Sequence, residues 1–222
     1  MKVTALVVAK APVPGLAKTR LARTLGDDAA ADIAAASLLD TLDALSAADF
    51  DSRTVALTGD LDKASRGDEL RAALASYTVC EQRGDSFTER LIHAHNDAGD
   101  GPIFQIGMDT PQITAELLNY SARALLGQGM STLGMAEDGG WWALGVPDPS
   151  LAQALRDVPM SMSDTGAETL RALRSLGATV QLLPVLRDVD HEADLLPVAA
   201  ECPSGSRFRA AVLRHHRGAP RM

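Results

Sequence analysis

The chain has 222 residues, a formal net charge of −8, and a composition that is 46% hydrophobic but only 4% aromatic. That length suits one domain with a sizeable buried core, expected to span residues 1–222. The acidic balance excludes general nucleic-acid binding, which needs a broad basic surface, and the scarcity of aromatics excludes a base-stacking platform.

The first apolar run, Val3 to Ala9, reads as a buried strand. At about seven residues it is too short to cross a membrane. It is not followed by a small-residue cleavage site, so a cytoplasmic protein is expected. A Pro/Gly-punctuated loop with two lysines and an arginine comes next, then an Ala/Leu-rich helix, Ala29 to Leu45, with Asp27 or Asp28 near its N-cap. Strands are expected at Arg53 to Thr58, Tyr77 to Glu81 and Pro102 to Gly107. Helices are expected at Leu70 to Leu74, Phe87 to Ala98 and Thr114 to Leu126. Met130 to Met135 and Trp141 to Val146 read as two strands joined by an Asp138-Gly139-Gly140 turn. A helix at Gly166 to Leu176, a strand at Thr179 to Pro184, and helices at His191 to Glu201 and Ser206 to His215 complete the chain. Strands alternating with helices imply a three-layer α/β/α fold around a mostly parallel sheet, made mixed by the hairpin.

The loop after the first strand, AKAPVPGLAKTRL, is where many α/β proteins hold nucleotide phosphates. It is not a P-loop: Ala17 precedes Lys18-Thr19, where the pattern requires glycine, and Gly15 lies three positions before Lys18. The dinucleotide fingerprint is missing there too. Three cations, Lys10, Lys18 and Arg20, flank a helix start, where the dipole disfavours positive charge. That placement suits an anion site better than a solvated helix start. The nucleotide- or phosphate-binding set read from this loop is Lys10, Gly15, Lys18, Thr19 and Arg20.

Three acidic motifs follow. In GMDTP, the apolar strand IFQI delivers Asp109 to the carboxyl edge of the sheet, where a carboxylate can hold Mg²⁺ or Mn²⁺. The same residues also make an ordinary turn that ends a strand. In DVD, alternation puts Asp188 and Asp190 on one face, so both could address one metal, although Asp190 could instead cap the helix that follows. In AEDGGWWALG, the glycines let backbone approach a ligand closely. Asp138 could bind or deprotonate an acceptor hydroxyl, with Gly139, Gly140 and Trp141 around the acceptor. A plain hairpin with one Trp in the core accounts for the same residues.

Other groups carry less. Cys80 and Cys202 lie far apart with no Cys-x-x-Cys, which supports neither a zinc ribbon nor a redox motif. His93 and His95 fall on different sides of a helix, which does not suit a shared zinc site. His215 and His216 belong to a basic tail, RHHRGAPR, expected to be a solvated or frayed helix end. Ser161, Ser163 and Asp164 read as loop and helix-cap residues.

Taken in order, KAPVPGLAKTRL, IGMDTP, AEDGGWWALG and LPVLRDVDHEADL resemble the nucleotide-diphospho-sugar transferases of the GT-A fold. The resemblance spans about Val3 to Leu195. Within that superfamily the chain is similar to a bacterial branch of glycosyltransferase-like proteins, some labelled arsenosugar-biosynthesis glycosyltransferases. The resemblance implies that Asp109 is a metal-binding aspartate and that Lys10, Lys18 and Arg20 meet the nucleotide or its phosphates. It places Asp138 near the acceptor, and Asp188 or Asp190 at a second metal contact. Asp109 and Asp138 are thus the expected catalytic residues, and Mg²⁺ or Mn²⁺ the expected cofactor. The partners would be a nucleotide-activated donor and a small acceptor. The first loop also resembles that of the 2-phospholactate guanylyltransferases, and a single aspartate followed by Thr110-Pro111 resembles the nucleotidyltransferase arrangement. Sugar transfer and nucleotidyl transfer are therefore both implied, beside a third reading as a non-catalytic nucleotide-binding module.

Overall fold

The computed structural model describes residues 2–127 and 129–217. Its centre is a seven-stranded sheet of β1 (Thr4–Lys10), β2 (Ser52–Thr58), β3 (Thr78–Glu81), β4 (Ile103–Ile106), β5 (Ser131–Ala136), β6 (Trp141–Val146) and β7 (Val180–Leu186). The strand order is β3-β2-β1-β4-β6-β5-β7. Strand β6 runs antiparallel to both its neighbours, and the other pairings are parallel. The expected α/β fold with a mixed, mostly parallel sheet is the one observed.

The helices are α1 (Thr19–Leu25), α2 (Asp27–Ala47), α3 (Gly67–Leu74), α4 (Phe87–Ala98), α5 (Ala115–Gly127), α6 (Thr165–Ser175), α7 (Glu192–Glu201) and α8 (Arg207–Arg217). Helices α2, α3 and α5 cover one face of the sheet in a core that includes Leu38, Leu42, Phe104 and Trp142. The other face is covered by α4, α6 and a 3-10 helix, Pro149–Asp157, around Leu6, Leu91, Leu144 and Leu155. A smaller cluster outside α2 packs α1, α7 and α8 around Leu21, Ile33, Leu195 and Phe208.

Local chemistry explains several boundaries. Gly26, with φ 85°, separates α1 from α2, so the basic loop leads into a short helix of its own. Asp27 and Asp28 then occupy the first turn of α2, where the dipole favours them. Helix α4 begins on a capping box: Ser86 accepts from Glu89 N, and Glu89 accepts from Ser86 N, both at 3.1 Å. The 3-10 helix was not expected from the sequence; Asp148 caps it by accepting from Ser150 N, and Pro149 opens it.

One expectation is corrected here. His215 is not a frayed end: its Nε2 lies 2.8 Å from Asp32 Oδ2, tying α8 to α2, and Asp32 also accepts from Arg66. The remainder of the tail from residue 218 lies outside the described residues, as does the side chain of His216. His95 is fully buried on α4, with Nδ1 2.9 Å from Leu91 O.

Burial pushes the His95 imidazole down from its ordinary 6.5 to about 4. Between those values the unfolded chain takes a proton that the folded one refuses. His95 therefore contributes stability above pH 6.5 that is lost as pH falls toward 4. Urea midpoints measured across this range should fall as the solution is acidified. His95→Met should remove that component of the slope.

Candidate active site

The order of the parallel strands reverses between β1 and β4, since β2 lies on one side of β1 and β4 on the other. Open α/β sheets bind ligands in the crevice beyond the carboxyl ends of their strands at such a point. The loops after β1, β4, β5 and β7 all emerge along this edge, and they carry Lys18, Asp109, Asp138, Asp188 and Asp190, with Lys10 closing β1 and Arg20 in the first turn of α1.

Lys18 joins three of these loops. It takes a left-handed conformation, φ 47° and ψ 49°, immediately before α1. This turns its side chain inward, to 10% exposure. Its Nζ lies 3.0 Å from Asp109 Oδ1 and 3.6 Å from Asp190 Oδ1. Arg20, exposed on the first turn of α1, hydrogen bonds to Asp190 Oδ2. The backbone reinforces the junction: Val189 N donates to Asp109 O at 2.9 Å, and Gln112 Nε2 donates to Arg187 O at 2.7 Å. Ser37 on α2 secures the strand end by donating to Met108 O at 2.5 Å.

These contacts change two readings. Asp190 does not cap α7; His191 takes that position, and the Asp190 carboxylate is held by Lys18 and Arg20. Lys18 and Arg20 were expected to face phosphate, and in this structure they face carboxylates. Lys10 turns its ammonium onto Leu16 O at 2.8 Å, within its own loop. Gly15, at φ 77°, shapes that loop and packs near Asp27, and Thr19 lies exposed at the start of α1.

The carboxylates crowd one another. Burial raises the Asp188 carboxyl to about 6, and the negative charges of Asp138 and Asp109 add to that shift. Burial by itself would lower the Lys18 ammonium, but Asp109 and Asp190 outweigh it, so the lysine is held above its ordinary value. Asp109 Oδ1 is buried and lacks a well-aligned hydrogen bond, even with Lys18 beside it. Among the described residues, no set of three or more His, Cys, Asp or Glu side chains is gathered into a metal cage. The Lys18 ammonium stands between Asp109 and Asp190, two of the aspartates read as metal contacts.

Around this junction lies a cleft of about 410 Å³. Asp109, Asp138 and Asp188 reach it, together with Lys10, Trp141 and Arg90. A hollow of about 240 Å³ shares Lys10 and Asp109 with the cleft and is lined also by Lys18, Thr19, Arg20 and Asp190. A third, of about 310 Å³, gathers Arg20, Asp138, Asp188 and Asp190 with the Arg187–Glu137 ion pair, whose Nη2 and Oε2 are 2.6 Å apart. That ion pair escaped the sequence reading because its two residues lie in separate motifs.

The DGG turn divides its roles. Asp138 holds the turn by accepting from Gly140 N at 2.7 Å, and still reaches the cleft. Gly140 and Trp141 line the cleft as well. Gly139 is not among the residues that line the cleft: at φ 90° it is pressed against the loop before α6, where a Cβ would lie 1.8 Å from Ser163 O. Trp142 is core, with Nε1 donating to Pro184 O at 2.9 Å, so the two tryptophans separate as alternation predicts.

The raised carboxyl gives a signed prediction. Between its ordinary 3.8 and about 6, the folded protein holds a proton at Asp188 that the unfolded chain releases. Ionising it therefore costs stability as pH rises through this window. Asp188→Asn should be more stable than the wild type above pH 6, and its advantage should vanish below 3.8. Denaturant midpoints of the two proteins across pH check this.

Comparison with known proteins agrees with the architecture. A protein from Desulfovibrio desulfuricans G20, provisionally named a nucleotide-diphospho-sugar transferase, superposes with a TM-score of 0.84 at 24% identity, covering 98% of this chain and 96% of that one. A cytidylyltransferase from Leptospira borgpetersenii gives 0.58 at 14% identity over 98% and 94%. Rv0371C from Mycobacterium tuberculosis H37Rv, solved as a complex with manganese, gives 0.52 at 17% identity over 96% and 99%. At these identities the likeness is one of fold. No curated protein sequence matches the chain. One family model does match, over residues 41–162, more than half of the sequence. The chain therefore belongs to the family described as "Uncharacterized protein conserved in bacteria (DUF2064)".

Proposed function

We propose that this protein is a transferase acting on a nucleotide-activated donor, with a divalent cation, and that it moves a glycosyl group from a nucleotide sugar to a small acceptor. The observation that carries this reading is the junction of Lys18 with Asp109 and Asp190, set at the carboxyl edge of the sheet and opening onto the cleft. It brings together cations suited to phosphate and carboxylates suited to a hard metal ion. The fold shared with proteins named for nucleotide-sugar and nucleotidyl transfer supports the same reading.

The residues fit Mg²⁺ or Mn²⁺. Asp109, Asp188 and Asp190 offer hard oxygen donors, and substrate phosphates can complete the coordination. The buried Asp109 Oδ1, with the Lys18 ammonium beside it, and the Asp188 carboxyl, which burial holds above its ordinary range, both offer oxygens that a cation could meet. Such an ion, when bound, neutralises charge on the donor phosphates and the leaving nucleoside diphosphate. Lys18 and Arg20 then exchange carboxylate for phosphate, Lys18 as a point charge and Arg20 as a fork. Asp138 orients the acceptor hydroxyl and takes its proton as the new glycosidic bond forms. Trp141 borders the space between these groups and helps to exclude water.

A second reading, nucleotidyl transfer, is favoured by one feature: Asp109 is followed by Thr110-Pro111 and not by a second aspartate. The donor would then be a nucleoside triphosphate, the acceptor a phosphate or phospho-acid, and the leaving group pyrophosphate.

Thermal unfolding with nucleotide sugars and with nucleoside triphosphates, each with and without Mn²⁺, separates the readings. A metal-dependent rise in melting temperature with a nucleotide sugar is the expected result. A rise with triphosphates alone selects nucleotidyl transfer. A rise that does not depend on the metal favours the non-catalytic nucleotide-binding alternative. Asp109→Ala should remove the metal-dependent rise and lower turnover about 100-fold or more, with circular dichroism unchanged. Asp138→Asn should retain the rise while turnover falls about 100-fold.

A further inference from the structure

Strand β4 lies in the middle of the sheet and is buried throughout, yet it reads Ile103-Phe104-Gln105-Ile106. Gln105 is 2% exposed. Its register partners are Leu6 on β1 and Leu144 on β6, both fully buried apolar residues. A leucine would satisfy that layer at no polar cost. Instead a carboxamide stands there, and among the described residues its Oε1 has no hydrogen-bond partner. Leaving a buried amide oxygen unpaired is unfavourable, because its lost hydration is not repaid. Thr110, also 2% exposed, has the same deficit at Oγ1. Both residues line the 410 Å³ cleft.

Two buried, uncharged and unsatisfied groups on one cleft form a recognition surface whose partner is a ligand. Neither carries charge, so neither offers a counter-ion of its own to a charged group. The complement is a neutral group that both gives and takes hydrogen bonds, and a hydroxyl does both. Apolar walls from Trp141, Met160 and Met162 suit the carbon skeleton that carries it. We propose that Gln105, with Thr110, is a specificity-determining residue that hydrogen bonds to a hydroxyl of the substrate. This rests on the transferase reading above. The hydroxyl has two sources in a nucleotide-activated donor: the transferred sugar and the ribose of the nucleotide.

Isothermal titration of UDP, UDP-glucose, GDP and GDP-mannose in Mn²⁺, with wild type, Gln105→Met and Thr110→Val, tests the assignment. Removing the hydrogen-bonding group should weaken binding about tenfold. A loss confined to the nucleotide sugars assigns the hydroxyl to the sugar, and an equal loss with the free nucleotides assigns it to ribose. Ligand-free Gln105→Met should melt higher than the wild type by roughly 2–4 °C, because an unpaired buried dipole has been removed. A purely structural glutamine predicts the reverse. Unchanged dissociation constants in Gln105→Met, or a lower melting temperature, overturn the proposal and leave the transferase reading standing. If the wild type binds none of the four ligands, both fail.

Discussion

The architecture of the site depends on one buried ammonium. Lys18 belongs to the loop after β1, Asp109 to the loop after β4, and Asp190 to the loop after β7, so one side chain fastens segments far apart in sequence. Taking a lysine to 10% exposure is unfavourable unless opposite charge meets it, and two carboxylates do. The left-handed backbone at Lys18 is part of the same bargain: it sends the side chain inward before α1 begins. The carboxylates depend on the lysine in turn. Without it, Asp109 and Asp190 would join Asp138 and Asp188 as close like charges in a half-buried space.

This mutual dependence links stability to binding. A site whose anions already share an internal cation can stay ordered without ligand. On the proposed function, an incoming phosphate and an incoming metal ion would each answer the group that the other leaves behind, and their binding would be cooperative by electrostatics alone. Two titrating groups report on opposite halves of the fold. His95 resists protonation in the core under α4, whereas Asp188 retains its proton at the strand edge, and their effects on stability have opposite sign over overlapping pH ranges.

The sheet was legible in the sequence because apolar runs, Gly turns and Ala-rich periodicity are local signals. Val3 to Ala9 falls within one residue of β1, and Trp141 to Val146 coincides with β6. Asp109 at a strand end was legible for the same reason. What was not legible is pairing at a distance. Nothing near Lys18 indicates that its charge will be spent on Asp190, and nothing in the basic tail indicates that His215 will find Asp32. Gly139 reads like its neighbour Gly140, and only the approach of Ser163 separates their roles. Gln105 passed as one polar residue in an apolar strand, since its missing partner shows only once the cleft is seen.

The reversed strand β6 has a consequence for the reach of the chemistry. It separates β4 from β5, so the ends that carry Asp109 and Asp138 are two strand spacings apart, roughly 9–10 Å. Had β5 paired directly with β4, those strand ends would stand one spacing apart. Because β6 runs the other way, it presents its first residue at this same edge, and that residue is Trp141. The strand that sets the spacing of those two strand ends thus also supplies the aromatic ring that borders the cleft beside them, and that spacing is fixed by hydrogen-bonded backbone and not by the reach of flexible side chains.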